Sequence, residues 1–210
     1  MKENIENFFY HYKYHVIGVI VAIILLVSVF KSCTDKKVID LKMVYFSDKY
    51  LAAENIDAFE KSLRENNMIE DVDGDGEKIF FMDNILYDFD IDGNTDEAIL
   101  NKVLTITYAG DHTLMLVHKY GLEDYDGSFE DISKMARDTD DVFYGPETKF
   151  VTGISVEGNE YLESHGINTE NLYLAMRRRT EKDSAANKDK EFFDSAYKVM
   201  EFILSGEVPN

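Results

Sequence analysis

Fifteen consecutive residues without a charge, Val16-Ile17-Gly18-Val19-Ile20-Val21-Ala22-Ile23-Ile24-Leu25-Leu26-Val27-Ser28-Val29-Phe30, constrain this chain more than any other feature. As a helix the run rises roughly 22 Å against a bilayer hydrocarbon core of about 30 Å, so alone it is short for a span. The preceding Phe8-Phe9-Tyr10-His11-Tyr12-Lys13-Tyr14-His15 lengthens it, because tyrosines sit well at headgroup level and Lys13 can extend its ammonium toward water. Lys31 can do the same at the other end. The run is apolar on every face, which a core helix of a small domain could not bury. These features predict a transmembrane signal-anchor. The competing reading, a cleaved signal peptide, wants a basic start and small residues before the cut. Here Glu3 and Glu6 dilute the start, and Lys31 stands where a small residue belongs before Cys33.

Charge divides the chain at residue 37. Of 22 basic and 41 acidic side chains, five lysines and three acids lie in residues 1–37, which leaves 17 basic and 38 acidic groups beyond, a charge near −21. Such a field repels phosphates, so nucleic acid is disfavoured as a partner on electrostatic grounds. The same stretch is too aromatic for a disordered acidic tail, with most of the chain's 14 Phe and 13 Tyr. One folded domain over residues 38–210, following a 1–37 anchor and linker, fits the length. A single cysteine, Cys33, leaves that domain without a disulfide framework or a cysteine-based zinc site.

The flanking charges, Lys2 and Lys13 before the run and Lys31, Lys36 and Lys37 after it, nearly balance, so they do not orient it. Long domains translocate largely regardless of charge, and an acidic domain suits calcium-rich surroundings. The expected location is therefore the cell membrane, single-pass, with the C-terminal domain extracytoplasmic.

Periodicity within the domain alternates between strand and helix. The run Leu41-Lys42-Met43-Val44-Tyr45-Phe46 predicts a strand, and Ala52, Ile56, Phe59 and Leu63 a helix. Ile79-Phe80-Phe81-Met82 predicts a second strand, Ile99, Val103 and Ile106 a helix ending near Gly110, and Thr113-Leu114-Met115-Leu116-Val117 a third strand. The later half predicts a short helix over 129–136, strands near 150–156 and 172–176, and a helix over 159–165. A mobile loop is expected over 181–189, and a closing helix is marked by Phe192, Ala196, Val199 and Ile203. The expected class is α/β, an N-terminal transmembrane helix followed by a mostly parallel sheet with flanking helices.

The strongest chemical signal is Asp71-Val72-Asp73-Gly74-Asp75-Gly76-Glu77. Carboxylates at alternate positions can converge on a hard cation, with Gly76 permitting the sharp turn, so Asp71, Asp73, Asp75 and Glu77 are candidate calcium ligands. An EF-hand would place a bidentate acid at the twelfth position, which here is Met82, so any site must be completed by a distant carboxylate; the alternative is a solvated acidic turn. Asp88, Asp90 and Asp92 repeat the alternation but fit better as a turn before a helix capped near Asn94 or Thr95. Arg177-Arg178-Arg179 is the one basic cluster of the domain and could receive a carboxylate or phosphate, or simply end a strand in solvent. No nucleophile elbow and no phosphate-cradling glycine loop is present.

Several of these segments together resemble short, N-terminally anchored proteins of Gram-positive, clostridial-type bacteria. The outer domain of that family looks like one lobe of a type II periplasmic solute-binding protein. The resemblance rests on Tyr10-His11-Tyr12-Lys13-Tyr14-His15, Asp40-Leu41, the 71–77 loop, Ala109-Gly110-Asp111, Leu172-Tyr173-Leu174-Ala175-Met176-Arg177 and Tyr197-Lys198-Val199-Met200-Glu201-Phe202-Ile203. It implies a single solute-binding-protein-like lobe, since the 173 residues beyond Lys37 do not suffice for the two lobes between which such proteins hold ligand.

The expected function is a tethered, non-enzymatic binding or interaction module, with membrane lipid around its anchor and other membrane or surface proteins as partners. The alternative is an accessory subunit of a transporter-like membrane complex, for which Gly18 and Ala22 form a small-xxx-small step. A membrane-bound hydrolase is the third class.

Overall fold

The structure is a computed structural model and describes residues 12, 14, 15, 17–28, 37–86, 97–109, 112–145, 149–179 and 187–206. It divides into two compact units, residues 1–38 and 39–210. In the first, residues 17–28 are helical. Side chains from Ile17 to Val27 are about half exposed, so the apolar surface runs round the whole helix. Among the described residues no helix is long and apolar enough to cross a membrane; Val16, Val29 and Phe30 of the expected span lie outside them.

The second unit is a six-stranded sheet in the order β2-β1-β3-β6-β5-β4. Its strands are β1 (Leu41–Ser47), β2 (Phe80–Leu86), β3 (Leu114–His118), β4 (Val142–Tyr144), β5 (Val151–Ser155) and β6 (Leu172–Met176). The helices are α1 (Ala53–Glu65), α2 (Glu97–Ala109), α3 (Lys119–Asp124), α4 (Glu160–Ser164) and α5 (Asn187–Ser205).

β1 is parallel to both its neighbours, β2 on one side and β3 on the other. The chain thus steps one way through α1 and back the other way through α2. Right-handed crossovers then require the two helices to lie on opposite faces, and the packing obeys. Phe59 and Leu63 of α1 bury against Leu41, Met43, Leu114, Leu116, Leu174 and Met176, together with Leu162 of α4 and Phe193, Val199 and Ile203 of α5. Val103 and Ile106 of α2 and Leu122 of α3 bury against Val44, Phe46, Met115, Val117, Tyr173 and Ala175. Alternate residues of the central strands therefore feed two separate cores, which is why β3 and β6 are buried at every position.

The α/β class and flanking helices are as expected, but the sheet is mixed rather than mostly parallel: β3 with β6, β6 with β5 and β5 with β4 all run antiparallel. The connections account for part of this. Residues 145–150 between β4 and β5 are too few for a parallel crossover, and between β5 and β6 the five residues of α4 rise only about 7.5 Å, short of the length of a strand. The helix expected over 129–136 is not one either. Phe129 bridges Arg177, Glu130 N–H donates to Met176 O (2.9 Å) and Ile132 N–H donates to Val151 O (2.8 Å), so these amides serve the sheet instead of a helical ladder. Residues 187–189 of the expected loop belong to α5, and the rest of that loop lies outside the described residues.

Candidate functional site

In an open α/β sheet, the carboxyl ends of strands part where successive crossovers leave in opposite directions, and a crevice opens there. In this fold that point lies between β1 and β3. β1 ends in Ser47 with Asp48 next, β3 ends in His118, and the antiparallel β6 brings its start to the same end of the sheet, with His118 opposite Leu172. A pocket of about 290 Å³ lies there, lined by Asp48, His118, Lys119, Tyr120, Glu123 and Asn171.

His118 is its buried member, 5% exposed. It caps α3, where its Nδ1 accepts from the Tyr120 N–H at 3.4 Å. With Nδ1 accepting, the neutral ring carries its proton on Nε2. That atom faces Asp48 Oδ1 at 4.0 Å, beyond direct hydrogen-bond distance. Neighbouring residues orient Asp48: the Ser47 hydroxyl donates to the same Oδ1 (3.3 Å), and the Lys49 ammonium pairs with Oδ2 (3.2 Å). Asn171 stands at φ 52°, a left-handed setting that asparagine tolerates, and its carbonyl accepts the Lys119 N–H at 2.9 Å.

Burial lowers the His118 pKa below the ordinary 6.5, outweighing Asp48, which raises it. The folded state therefore resists protonation of this ring. Its contribution to stability is complete above 6.5 and is lost as pH falls from there toward the folded value. Thermal midpoints measured across this range should fall less steeply in His118→Gln than in the parent chain; superimposable slopes would contradict the assignment.

Close approach of α3 makes the pocket. A Cβ on Gly121 would lie 2.5 Å from Phe46 Cε1 and 2.7 Å from Val117 Cγ1, both side chains of the core below. Gly121→Ala should cost about 1–3 kcal/mol, because the ring and the branched valine cannot both move aside. A urea midpoint unchanged by the substitution would show that α3 is not seated this way.

The acidic loop lies at the opposite end of β1. There Asp71 and Asp73 come together with Asp40, just ahead of the strand, and one carboxylate oxygen from each falls within 4.8 Å of the others. The distant carboxylate that such a loop requires is thus Asp40, which the local pattern does not reveal. Asp75 and Glu77 are not in this group; the Asp75 carboxylate accepts the Glu77 N–H at 2.7 Å. Asp71 accepts from the amides of Gly74 (2.7 Å), Asp75 (3.2 Å) and Gly76 (2.9 Å). The Gly76 amide chiefly holds the Asp71 pKa below its usual value, while desolvation raises that of Asp73. Three converging carboxylates can hold a hard cation, and the backbone amides offer the same loop a cation-free solution. Calorimetric titration of calcium decides between them: saturable heat that is lost in Asp73→Asn marks a cation seat, and a flat titration at millimolar calcium marks a turn satisfied by its own amides. Asp88, Asp90 and Asp92 lie outside the described residues.

The three arginines separate. Arg177 is buried, and its Nε donates to His112 O (3.0 Å) and its Nη1 to Arg178 O (2.9 Å). Arg178 and Arg179 are exposed, the latter stacked 4.6 Å over the Phe193 ring. A second depression, of about 570 Å³ beside α4, is lined by Glu157, Glu163, Thr169 and Glu170. Its groups are partly satisfied by one another, Thr169 Oγ1 donating to Glu163 Oε1 at 2.7 Å.

Compared with known protein families, with characterised proteins and with solved structures, the chain matches none.

Proposed function

We propose that this chain is a non-enzymatic binding module held at a membrane by its N-terminal apolar run, with the domain on the extracytoplasmic side. The observation that carries the reading is the polar pocket at the parting of β1 and β3, the place where open α/β sheets receive ligands. Its chemistry favours binding over turnover. The Ser47 hydroxyl donates to the Asp48 carboxylate rather than to His118, so this pair is not arranged as a nucleophile with its base. The uncharged run with its aromatic flank, and the likeness to anchored single-lobe proteins, support the tether.

Topology is the first test. In a Cys33→Ser background, Glu157→Cys offers an exposed thiol on the domain. Intact cells treated with a membrane-impermeant maleimide should label it, and the chain should stay with membranes in alkaline carbonate. Labelling only after lysis, or release by carbonate, removes the reading.

A second reading, an accessory subunit of a membrane complex, draws on Gly18, where an added Cβ would meet nothing within 4 Å. With Ala22 it forms a small-residue step on which another helix could close. Replacing both with Leu separates the two: loss of a co-purifying complex with the domain still folded favours the subunit, and indifference favours a free tether.

A further inference from the structure

We propose that the pocket between β1 and β3 receives a neutral polyhydroxylated ligand of about one pyranose ring, with a ligand hydroxyl bridging His118 and Asp48. This deepens the binding-module reading and rests on it.

The starting point is the separation of two facing side chains. His118 is buried, its Nδ1 accepts from the Tyr120 N–H, which leaves the proton of the neutral ring to Nε2, and the facing acceptor, Asp48 Oδ1, is 4.0 Å away. Two hydrogen bonds of about 2.8 Å meeting at one oxygen span roughly 4–4.6 Å between their outer atoms. A bridging group accepts from Nε2–H and donates to a carboxylate through the same atom; a ligand hydroxyl does both, taking the place a water would otherwise hold.

Charged alternatives fit less well. An anion would face Asp48 and Glu123 within a strongly acidic domain; an organic cation is drawn by that field, but an ammonium only donates and cannot accept from Nε2–H. A metal would need a third ligand, but Glu123 does not close with Asp48 and His118 into a compact set among the described residues.

A ring of hydroxyls suits the remaining lining. Lys119 donates, Glu123 accepts, and the Asn171 amide does both, so neighbouring hydroxyls can each find a partner. Tyr120 contributes a half-exposed ring whose centroid lies 5.1 Å from that of His118, a flat apolar surface for the C–H face of a sugar. The volume, about 290 Å³, is at the small end for ligand pockets and suits a single ring.

The test uses the full chain in a sugar-free detergent, with imidazole nitrogens labelled and the His118 signals assigned by their loss in His118→Gln. D-glucose and D-galactose are titrated beside cyclohexanol, ethanolamine and acetate, which supply a lone hydroxyl, a cation and an anion. At least one pyranose should shift the His118 signals saturably in the millimolar range while the three controls leave them in place. Asp48→Asn should weaken that binding about tenfold. Tyr120→Leu, outside the hydrogen-bonded pair, should weaken it as well, and the thermal midpoint of each variant reports whether it folds. His118 signals that neither sugar moves, or that a folded Asp48→Asn variant shows moving with parental affinity, overturn the proposal. A shift driven as strongly by ethanolamine or acetate also overturns it, yet leaves a working pocket. Failure of the tethered-module reading shows instead in the labelling and carbonate experiment.

Discussion

Arg177→Ala should lower the unfolding free energy by about 3–4 kcal/mol, as much as truncating a buried aromatic side chain. Arg177 follows directly on β6 and is 1% exposed, yet it carries a full charge. The guanidinium is tolerated because it is used: Nε donates to His112 O, Nη1 donates to Arg178 O, and the plane lies 5.2 Å from the Phe193 centroid. Truncation leaves those carbonyls short of a donor and opens a cavity beside α5. Arg177→Met keeps the stem and should lose roughly half as much, while Arg177→Lys should not rescue, since one ammonium cannot reproduce two donors in a fixed fork. Urea unfolding measures this as a drop in midpoint at constant slope. A loss under about 1 kcal/mol for the alanine variant would mean that the buried charge is not holding the end of β6 in place.

Asp40→Asn, although isosteric, should cost about 2–3 kcal/mol. The two carboxylate oxygens of Asp40 accept from different donors, Val72 N–H on Oδ1 (2.8 Å) and Ile79 N–H on Oδ2 (2.6 Å). One residue ahead of β1 thus pins both ends of the acidic loop. A side-chain amide has one acceptor oxygen, so whichever way the substituted side chain turns, its NH2 faces an N–H, and one of these donors loses its partner. Hydrogen exchange provides the local readout: protection at Val72 and Ile79 should collapse in the variant before the amides of β3 or β6 are affected. Equal protection in both chains would contradict the pinning role. Relief of repulsion with Asp71 and Asp73 works in the opposite direction, so calcium, if the loop takes it, should enlarge the difference between parent and variant.

Much of the fold is legible in local patterns. The short apolar runs of β1 and β3 and the 3.6-period stripes of α1, α2 and α5 each identify their element, because burial on one or two faces leaves a signature within a dozen residues. Asn159 announces α4 in the same way, accepting the Leu162 N–H from its own side chain at 3.0 Å. β2 is harder to read. Its later residues, Asp83 and Asn84, are polar enough to hide the strand beyond Met82, yet it stays paired with β1 through Leu86, since an edge strand can bear polar groups.

What the chain determines by itself is therefore the alternation of strand and helix, the α/β class, the acidic surface and the apolar N-terminal run, all properties of neighbouring residues. Strand direction beyond β3, the completion of the Asp71 loop by Asp40 and the pocket itself were decided only by tertiary structure. Asp48 and His118 are far apart in sequence and neither belongs to a motif. They meet because β1 and β3 pair in parallel and the crossovers on either side of β1 leave in opposite directions, opening a crevice that no local spacing encodes.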